Sequence, residues 1–231
     1  MAARSTTDAI DGEMTPGEAP PPDRDAVAAA LSAFRGTIEQ VPPDHSAVHV
    51  GGRRAYQVAR GGDKPELTPR TVTIHALDLV EWDDSDEARP VVVLDVRCSA
   101  GTYVRALARD LGEQLGCGAY LGALTRTASG AFRLEQAHPL ERVREELAAG
   151  RIESLLLPPD AGLDLPRLTL SGDDLGALVR GQVVRVRGPL PDGLDEGGIT
   201  RVVDGAEHIV AMVRLQGGRL HPDKVFSVPG S

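Results

Sequence analysis

Apolar residues recur at helical spacing in two parts of the chain, at residues 24–35 and 104–115. Spacings of three and four residues bring such side chains to one face of a helix, so both segments are predicted to be amphipathic helices packed on a core. The sequence LERVREELAAG, which ends at Gly150, predicts a third, short helix. The apolar positions of the first two helices are Val27, Leu31 and Phe34, and Val104, Leu107, Ala108, Leu111 and Leu115.

Strand-like runs surround these helices. Residues 70–82 and 91–98 are rich in β-branched residues and are separated by the acidic sequence DDSDEARP, which predicts a β-hairpin. The stretch YLGALTRTASGAFRL predicts two short strands about a turn at Ser129-Gly130. After residue 152 the segments QVVRVR, ITRVVD, HIVAMVRL and KVFSV alternate with Pro and Gly turns, which predicts a compact, mostly β module. The fold class is therefore α+β.

Composition excludes several classes of protein. The chain has 231 residues, 41% of them hydrophobic and 26% charged, and it has no apolar run near the ~20 residues of a transmembrane helix. Its N-terminus lacks the apolar core of a signal peptide. Cys98 and Cys117 are the only cysteines, which suits reduced thiols in the cytoplasm. The six histidines show no metal-ligand spacing. We expect neither a membrane span nor a metal.

The formal net charge of −9 is unevenly distributed. Residues 1–44 carry 3 basic and 8 acidic side chains, a net charge of −5. Residues 45–70 and 97–133 each carry 5 basic and 2 acidic side chains, a net charge of +3. Because a phosphate backbone responds to local potential, two basic regions in an acidic chain are compatible with an RNA-binding face. On charge alone, ordinary solvated surfaces are the favoured interpretation.

The stretch CSAGTYVRALARDLG, from Cys98 to Gly112, combines these signals at the junction of a strand and a helix. Arg105 and Arg109 are four residues apart and so share a neighbouring helix face. One explanation for the two arginines is an anionic ligand. The other is a partner carboxylate within the same protein.

Two long segments resemble the bacterial TruB-type tRNA pseudouridine synthases. They are FRGTIEQVPPDHSAVHVGGRRAYQVARGG at 34–62 and CSAGTYVRALARDLGEQLGCGAYLGALTRTASGAFRLEQA at 98–137. The sequence from LPPDAGLDLPRLTL onward resembles that family's small PUA-like RNA-binding domain. The resemblance implies a partial mixed-sheet catalytic domain at 1–152, with a thumb-like insertion at about 43–70, followed by a PUA-like domain at 153–231.

The resemblance also implies a reaction. The family isomerises uridine 55 in the T loop of tRNA to pseudouridine without a cofactor, and an aspartate starts the reaction on a nucleotide flipped out of its stack. By resemblance, Arg105 pairs with that aspartate, since a guanidinium stays charged and holds a carboxylate in bidentate geometry. Tyr103 would line the same pocket and Leu124 would pack against the target base. A surface arginine, a core tyrosine and a core leucine are the alternative interpretations.

The thumb-like stretch implies contacts with the T stem-loop of tRNA. Phosphate contacts suit its basic side chains, and an aromatic ring can pack beneath them. His49 and Ala100 stand where the family has lysine. Arg109 is open between an RNA phosphate contact and plain helix surface. The candidate RNA-binding residues are Arg53, Arg54, Tyr56, Arg60, Lys64 and Arg109.

The family's catalytic aspartate lies in a Gly-x-Leu-Asp-Pro-like segment, which has no counterpart in this sequence. No Asp-Pro dipeptide occurs, and ARSTTDAIDGEM at 3–14 resembles the segment that follows the catalytic part. We therefore expect this chain to be inactive and poorly soluble alone, and the complete enzyme to be a cytoplasmic monomer. A non-catalytic tRNA-binding or tRNA-folding protein is the alternative, and a β-rich interaction module unrelated to RNA is a third.

Overall fold

The computed structural model describes residues 1–226 and forms two compact units, Met1–Thr125 and the chain from Arg126 onward. Both units combine helices with β-sheet, as the α+β prediction requires. The division at 125/126 falls earlier than the predicted domain boundary at 152/153. No helix among the described residues is long and apolar enough to cross a membrane.

The first unit is built on a three-stranded antiparallel sheet of order β3-β6-β7. The long strand β6 pairs with β3 along its first part and with β7 along its second part. Its elements are β1 (Ala3–Ser5), β2 (Met14–Pro16), α1 (Arg24–Ala30), a 3₁₀ turn (Leu31–Phe34), β3 (Gly36–Gln40), β4 (His49–Val50), β5 (Arg53–Arg54), α2 (Ala55–Arg60), β6 (Arg70–Asp83), β7 (Val91–Cys98) and α3 (Val104–Gln114).

The core of the first unit lies between this sheet and the two predicted helices. Exposure alternates along β7, as expected for a strand with one face on the core. The amphipathic predictions for 24–35 and 104–115 are confirmed, because their apolar positions enter one cluster with β6. The cluster contains Val27, Leu31, Phe34, Ile74, Leu77, Leu107 and Leu111.

The second unit contains a five-stranded mixed sheet of order β10-β12-β13-β14-β11, in which only the β10–β12 pair is parallel. Its elements are β8 (Ala128–Ser129), β9 (Phe132–Arg133), a 3₁₀ turn (Leu134–Gln136), α4 (Leu140–Ala148), a 3₁₀ turn (Ile152–Leu155), β10 (Arg167–Thr169), α5 (Gly172–Val179), β11 (Val184–Arg185), β12 (Ile199–Val203), β13 (Ile209–Gln216) and β14 (Arg219–Val225). Its core contains Leu178, Val184, Leu194, Val202, Ala211, Val213, Leu215 and Leu220.

Several elements were not predicted from the sequence. The β1–β2 pair is short and polar, and β2 is exposed along its whole length, so no apolar alternation marks it. Helix α5 and strands β3 and β10 also lacked a clear signal. The KVFSV segment was predicted as a strand; β14 ends at Val225, and the last two residues of that segment lie outside the described part of the chain.

Candidate functional site

The first unit contains a cavity of about 410 Å³ that brings together residues far apart in the sequence. Its walls come from the loop after β1, the segment 45–47 before β4, helix α2 and the start of helix α3. The lining residues are Thr7, Asp11, His45, Ser46, Ala47, Tyr56, Arg60 and Arg105. Three residues predicted from the sequence, Tyr56, Arg60 and Arg105, therefore meet at one place.

The start of α3 is fixed by a buried glutamine. The Gln40 side chain, 1% exposed, accepts a hydrogen bond from the Tyr103 backbone N–H at 2.8 Å and donates to the Tyr103 carbonyl at 3.2 Å. Gly101, with φ of 85°, makes the corner between β7 and α3 in a backbone conformation that favours glycine. Gln40 thus holds the helix side of this corner, and Arg105 stands in the first turn of α3.

Arg105 is oriented by backbone carbonyls. Its Nη1 donates to the Thr7 carbonyl at 3.1 Å and its Nη2 to the His45 carbonyl at 2.9 Å. A guanidinium has five N–H donors, so these two bonds leave donors for another partner. Carbonyl oxygens carry no net charge, and within residues 1–226 no carboxylate oxygen lies within 4.0 Å of this guanidinium. Arg105 therefore remains a pre-oriented cation at the cavity wall.

Asp11 is the acidic side chain of the cavity wall. Its Oδ1 accepts a hydrogen bond from the Thr7 hydroxyl at 2.7 Å. That bond is the largest cause that lowers the pKa of Asp11 from its usual range, and the charges of Arg105 and His45 add to it. The Asp11 carboxylate is therefore ionised at neutral pH and faces the electrostatic field of the arginine.

The thumb-like stretch reaches the cavity through helix α2. The Arg60 guanidinium carbon lies 5.6 Å from the centre of the Tyr56 ring, which is a cation–π contact. Gln57 helps to start the helix, because its side chain accepts a hydrogen bond from the Arg54 backbone N–H at 3.1 Å. Arg53 and Arg54 are exposed beside this helix.

Arg109 is bound to internal acceptors. It donates to Asp8 at 2.9 Å, to Asp110 at 2.9 Å and to the Val41 carbonyl at 2.8 Å. Burial raises the pKa of Asp8 and of Asp110. The charge of Arg109 opposes this rise, but one cation shared by two carboxylates does not cancel it. The two carboxylates together raise the pKa of Arg109 despite its own burial. Of the two explanations for the arginine pair, the internal carboxylate is thus the one seen at Arg109, and its RNA contact stays a prediction.

Other predicted site residues lie elsewhere. Lys64 lines a second cavity of about 430 Å³, in which four carboxylates surround it and Arg109, a poor setting for phosphate. Tyr103 is half-buried at the N-terminus of α3, and Leu124 is 58% exposed. Neither of these two residues lines the cavity that contains Arg105.

Five cavity residues were missed by the sequence reasoning: Thr7, Asp11, His45, Ser46 and Ala47. The polar run STTDAID carries a resemblance to a family segment, but its local pattern assigns no role to its two aspartates. The available signal was its density of hydroxyl and carboxylate groups in a stretch with no apolar period. That signal does not indicate which distant helix the run would meet.

Two family models match consecutive parts of the chain. The model described as "TruB family pseudouridylate synthase (N terminal domain)" matches residues 1–104. The model described as "tRNA pseudouridylate synthase B C-terminal domain" matches residues 105–164. The two matches together cover both segments that carry the sequence resemblance.

Curated proteins with the name tRNA pseudouridine synthase B are similar along most of the chain. The protein of Thiobacillus denitrificans is 46% identical over 202 residues, 87% of this chain and 64% of that protein. The protein of Bradyrhizobium diazoefficiens is 39% identical over 97% of this chain and 65% of its own length. The protein of Novosphingobium aromaticivorans is 38% identical over 99% of this chain and 74% of its own length. The chain thus spans slightly less than two thirds of the first two relatives.

Solved structures share the fold. A chain from "Structure of H/ACA RNP bound to a substrate RNA containing 2'-deoxyuridine" matches with a TM-score of 0.66 and 21% identity, over 92% of this chain and 63% of that one. A chain from "Crystal Structure of a Cbf5-Nop10-Gar1 Complex" matches with a TM-score of 0.63 and 23% identity, over 90% and 63%. These likenesses show the fold, whereas the family models and the curated relatives show that the chain belongs to the bacterial TruB-type tRNA pseudouridine synthase family.

Proposed function

We propose that this chain forms the arginine-bearing side of an enzyme that isomerises uridine to pseudouridine at position 55, in the T loop of tRNA. The observation that carries the proposal is the state of Arg105. Two backbone carbonyls fix its guanidinium, its other donors remain for a ligand, and it stands at a cavity large enough for a small organic ligand. A fixed cation is what an ionised catalytic carboxylate requires as a partner.

We propose further that the aspartate that starts the reaction is not one of this chain's residues. The Leu-Asp-Pro-like segment expected from the family is not in the sequence. Asp11 is an ionised carboxylate of the cavity, but one of its two oxygens accepts a hydrogen bond from the Thr7 hydroxyl, and the residue is exposed. On this proposal the chain alone binds substrate RNA without isomerising it, and the complete enzyme acts as a cytoplasmic monomer.

The proposed substrate contact uses two kinds of group. Tyr56 and Arg60 present an aromatic face and a cation at the cavity, a combination suited to a base and a phosphate. The exposed Arg53 and Arg54 extend the basic surface away from the cavity. Because A-form RNA is bound mostly through shape and backbone contacts, this surface supports binding of the T stem-loop rather than readout of its sequence.

The test begins with the purified 231-residue chain and an unmodified tRNA. We expect binding that weakens as salt rises, and no pseudouridine in the nucleosides recovered from the tRNA. The second step fuses Met1 to the part of the Thiobacillus denitrificans relative that precedes the matched region, which should restore isomerisation.

Three results would count against the proposal in different ways. Absence of salt-dependent tRNA binding would overturn the assignment to RNA. Isomerisation by the chain alone would show that its own residues include the catalytic carboxylate. A fusion that binds tRNA but never isomerises uridine would favour the non-catalytic tRNA-binding protein.

A further inference from the structure

Ser46 carries a hydroxyl group without a partner beside Arg105. The residue is 4% exposed, and its Oγ is buried with no hydrogen-bond partner among the described residues. Buried hydroxyl groups in folded proteins nearly always have a partner, so each exception needs an explanation. The other two buried and unpaired side-chain atoms in the described part of the chain, Arg4 Nε and Arg201 Nε, belong to residues that do not line the cavity.

The backbone of Ser46 is anchored, in contrast to its hydroxyl. Its carbonyl accepts the Tyr56 N–H at 3.0 Å, which joins the segment to helix α2. The preceding carbonyl, of His45, accepts the Arg105 guanidinium at 2.9 Å. Both sides of the residue are thus held in the wall that also contains Arg105. The hydroxyl can respond to a ligand by rotation about the Cα–Cβ bond among its staggered positions.

The neighbouring groups define the chemistry of that ligand. The cavity offers the remaining N–H donors of Arg105, the ring of Tyr56 and the cation of Arg60. Its volume of about 410 Å³ lies in the range of pockets for small organic ligands. A nucleotide supplies an aromatic base and several acceptor oxygens to such a set of groups. A lone carboxylate would bring no group to stack on the aromatic ring.

We propose that Ser46 is a substrate-binding residue, whose hydroxyl donates a hydrogen bond to an oxygen of the target nucleotide in the cavity beside Arg105. The proposal deepens the function proposed above and rests on it. It assigns a role to a serine that the sequence reasoning did not select. It also explains why a buried hydroxyl has no partner among the described residues of the free protein.

This role predicts opposite effects on the free and the bound protein. Ser46→Ala removes a buried group that has no partner, so the melting temperature of the free chain should stay equal or rise. In the complex the same change removes a hydrogen bond, so RNA affinity should fall by about tenfold. A serine with a merely structural role would give the reverse pattern, with lower stability and unchanged intrinsic affinity.

The experiment uses the full 231-residue chain and two RNA probes. One probe is the T stem-loop with uridine at the target position, and the other is the stem duplex without the loop. Affinity for each probe and the melting temperature are measured for the unsubstituted chain, Ser46→Ala and Ser46→Cys, which keeps a weak donor of similar size. Ser32→Ala is the matched control, because the exposed Ser32 hydroxyl donates to the Ala29 carbonyl at 2.8 Å, remote in sequence from the cavity wall.

The proposal expects Ser46→Ala to lose stem-loop affinity, Ser46→Cys to lose less, and both to bind the duplex as the unsubstituted chain does. Unchanged stem-loop affinity of Ser46→Ala would overturn it. An equal loss on both probes, or a loss that follows a lowered melting temperature, would overturn it as well. If the unsubstituted chain binds neither probe, the proposed function itself fails, and the role of Ser46 fails with it.

Discussion

Replacement of Arg109 by methionine tests the interpretation that this arginine serves the fold rather than RNA. Methionine keeps an unbranched side chain but removes the cation that Asp8 and Asp110 share. The side chains of Arg109, Asp8 and Asp110 are 22%, 14% and 28% exposed, respectively. The substitution would therefore leave two carboxylates largely out of water without a counter-charge. Removal of one partner from a fully buried ion pair costs about 3–5 kcal/mol. With partial solvent screening we expect about 2 kcal/mol at neutral pH.

The loss should depend on pH in a defined direction. Burial raises the pKa of Asp8 and Asp110, and Arg109 opposes that rise. Where the folded pKa of a carboxyl group is raised, the folded protein holds protons that the unfolded chain has released, so stability falls as pH rises above the unfolded value of about 3.9. Without Arg109 the folded pKa values rise further and stability falls over a wider pH range. The penalty of the substitution should therefore be small near pH 4 and complete near pH 7.

Trp82, the only tryptophan, packs against the core cluster of the first unit and reports its unfolding by fluorescence. Urea unfolding curves at low and neutral pH for Arg109→Met, with the exposed Arg24→Met as control, measure the effect. The control should change stability by less than about 0.5 kcal/mol. An equal penalty at both pH values, or a penalty no larger than that of the control, would refute the reasoning.

Two further predictions concern the thumb and the packing of α3. Joint replacement of Arg53 and Arg54 by glutamine should weaken tRNA binding. It should also reduce the slope of log affinity against log salt concentration by up to about 2, which is roughly 1 for each phosphate contact. An unchanged slope would show that these arginines do not contact phosphate. Gly112→Ala should destabilise the first unit by about 2–3 kcal/mol, because a Cβ there would lie 2.0 Å from the Ala119 backbone nitrogen. Gly122→Ala, with nothing within 4 Å of its Cβ, should change little in the same urea assay, and similar losses in both variants would contradict the packing argument.

The sequence predicted those elements whose stability is local or periodic. Helix α3 had an apolar stripe, and the β6–β7 hairpin had two β-branched runs about an acidic turn. In each case the residues whose pattern predicts the element are the residues that form it. Such elements can therefore be predicted from one sequence without knowledge of the rest of the fold.

The composition of the cavity could not be predicted in this way. Arg105 meets the Thr7 carbonyl across 98 residues of sequence, and Gln40 meets Tyr103 across 63. Such pairings depend on how the sheet and α3 pack, and no local pattern carries that information. The same limit explains Arg109, whose carboxylate partner Asp8 lies 101 residues away.

The central claim is that Arg105 is the arginine of the active site, and its most direct test is a single-turnover measurement. The measurement uses the fusion of this chain to the preceding part of the Thiobacillus denitrificans relative. The rate of pseudouridine formation in tRNA is compared between the unsubstituted fusion and its Arg105→Lys variant. Lysine keeps the charge but loses the planar, bidentate geometry. We expect the rate to fall by about 100-fold or more, since misplacement of a catalytic group by ~1 Å has that effect, while tRNA affinity is unchanged. A rate within a few-fold of the unsubstituted fusion would contradict the account.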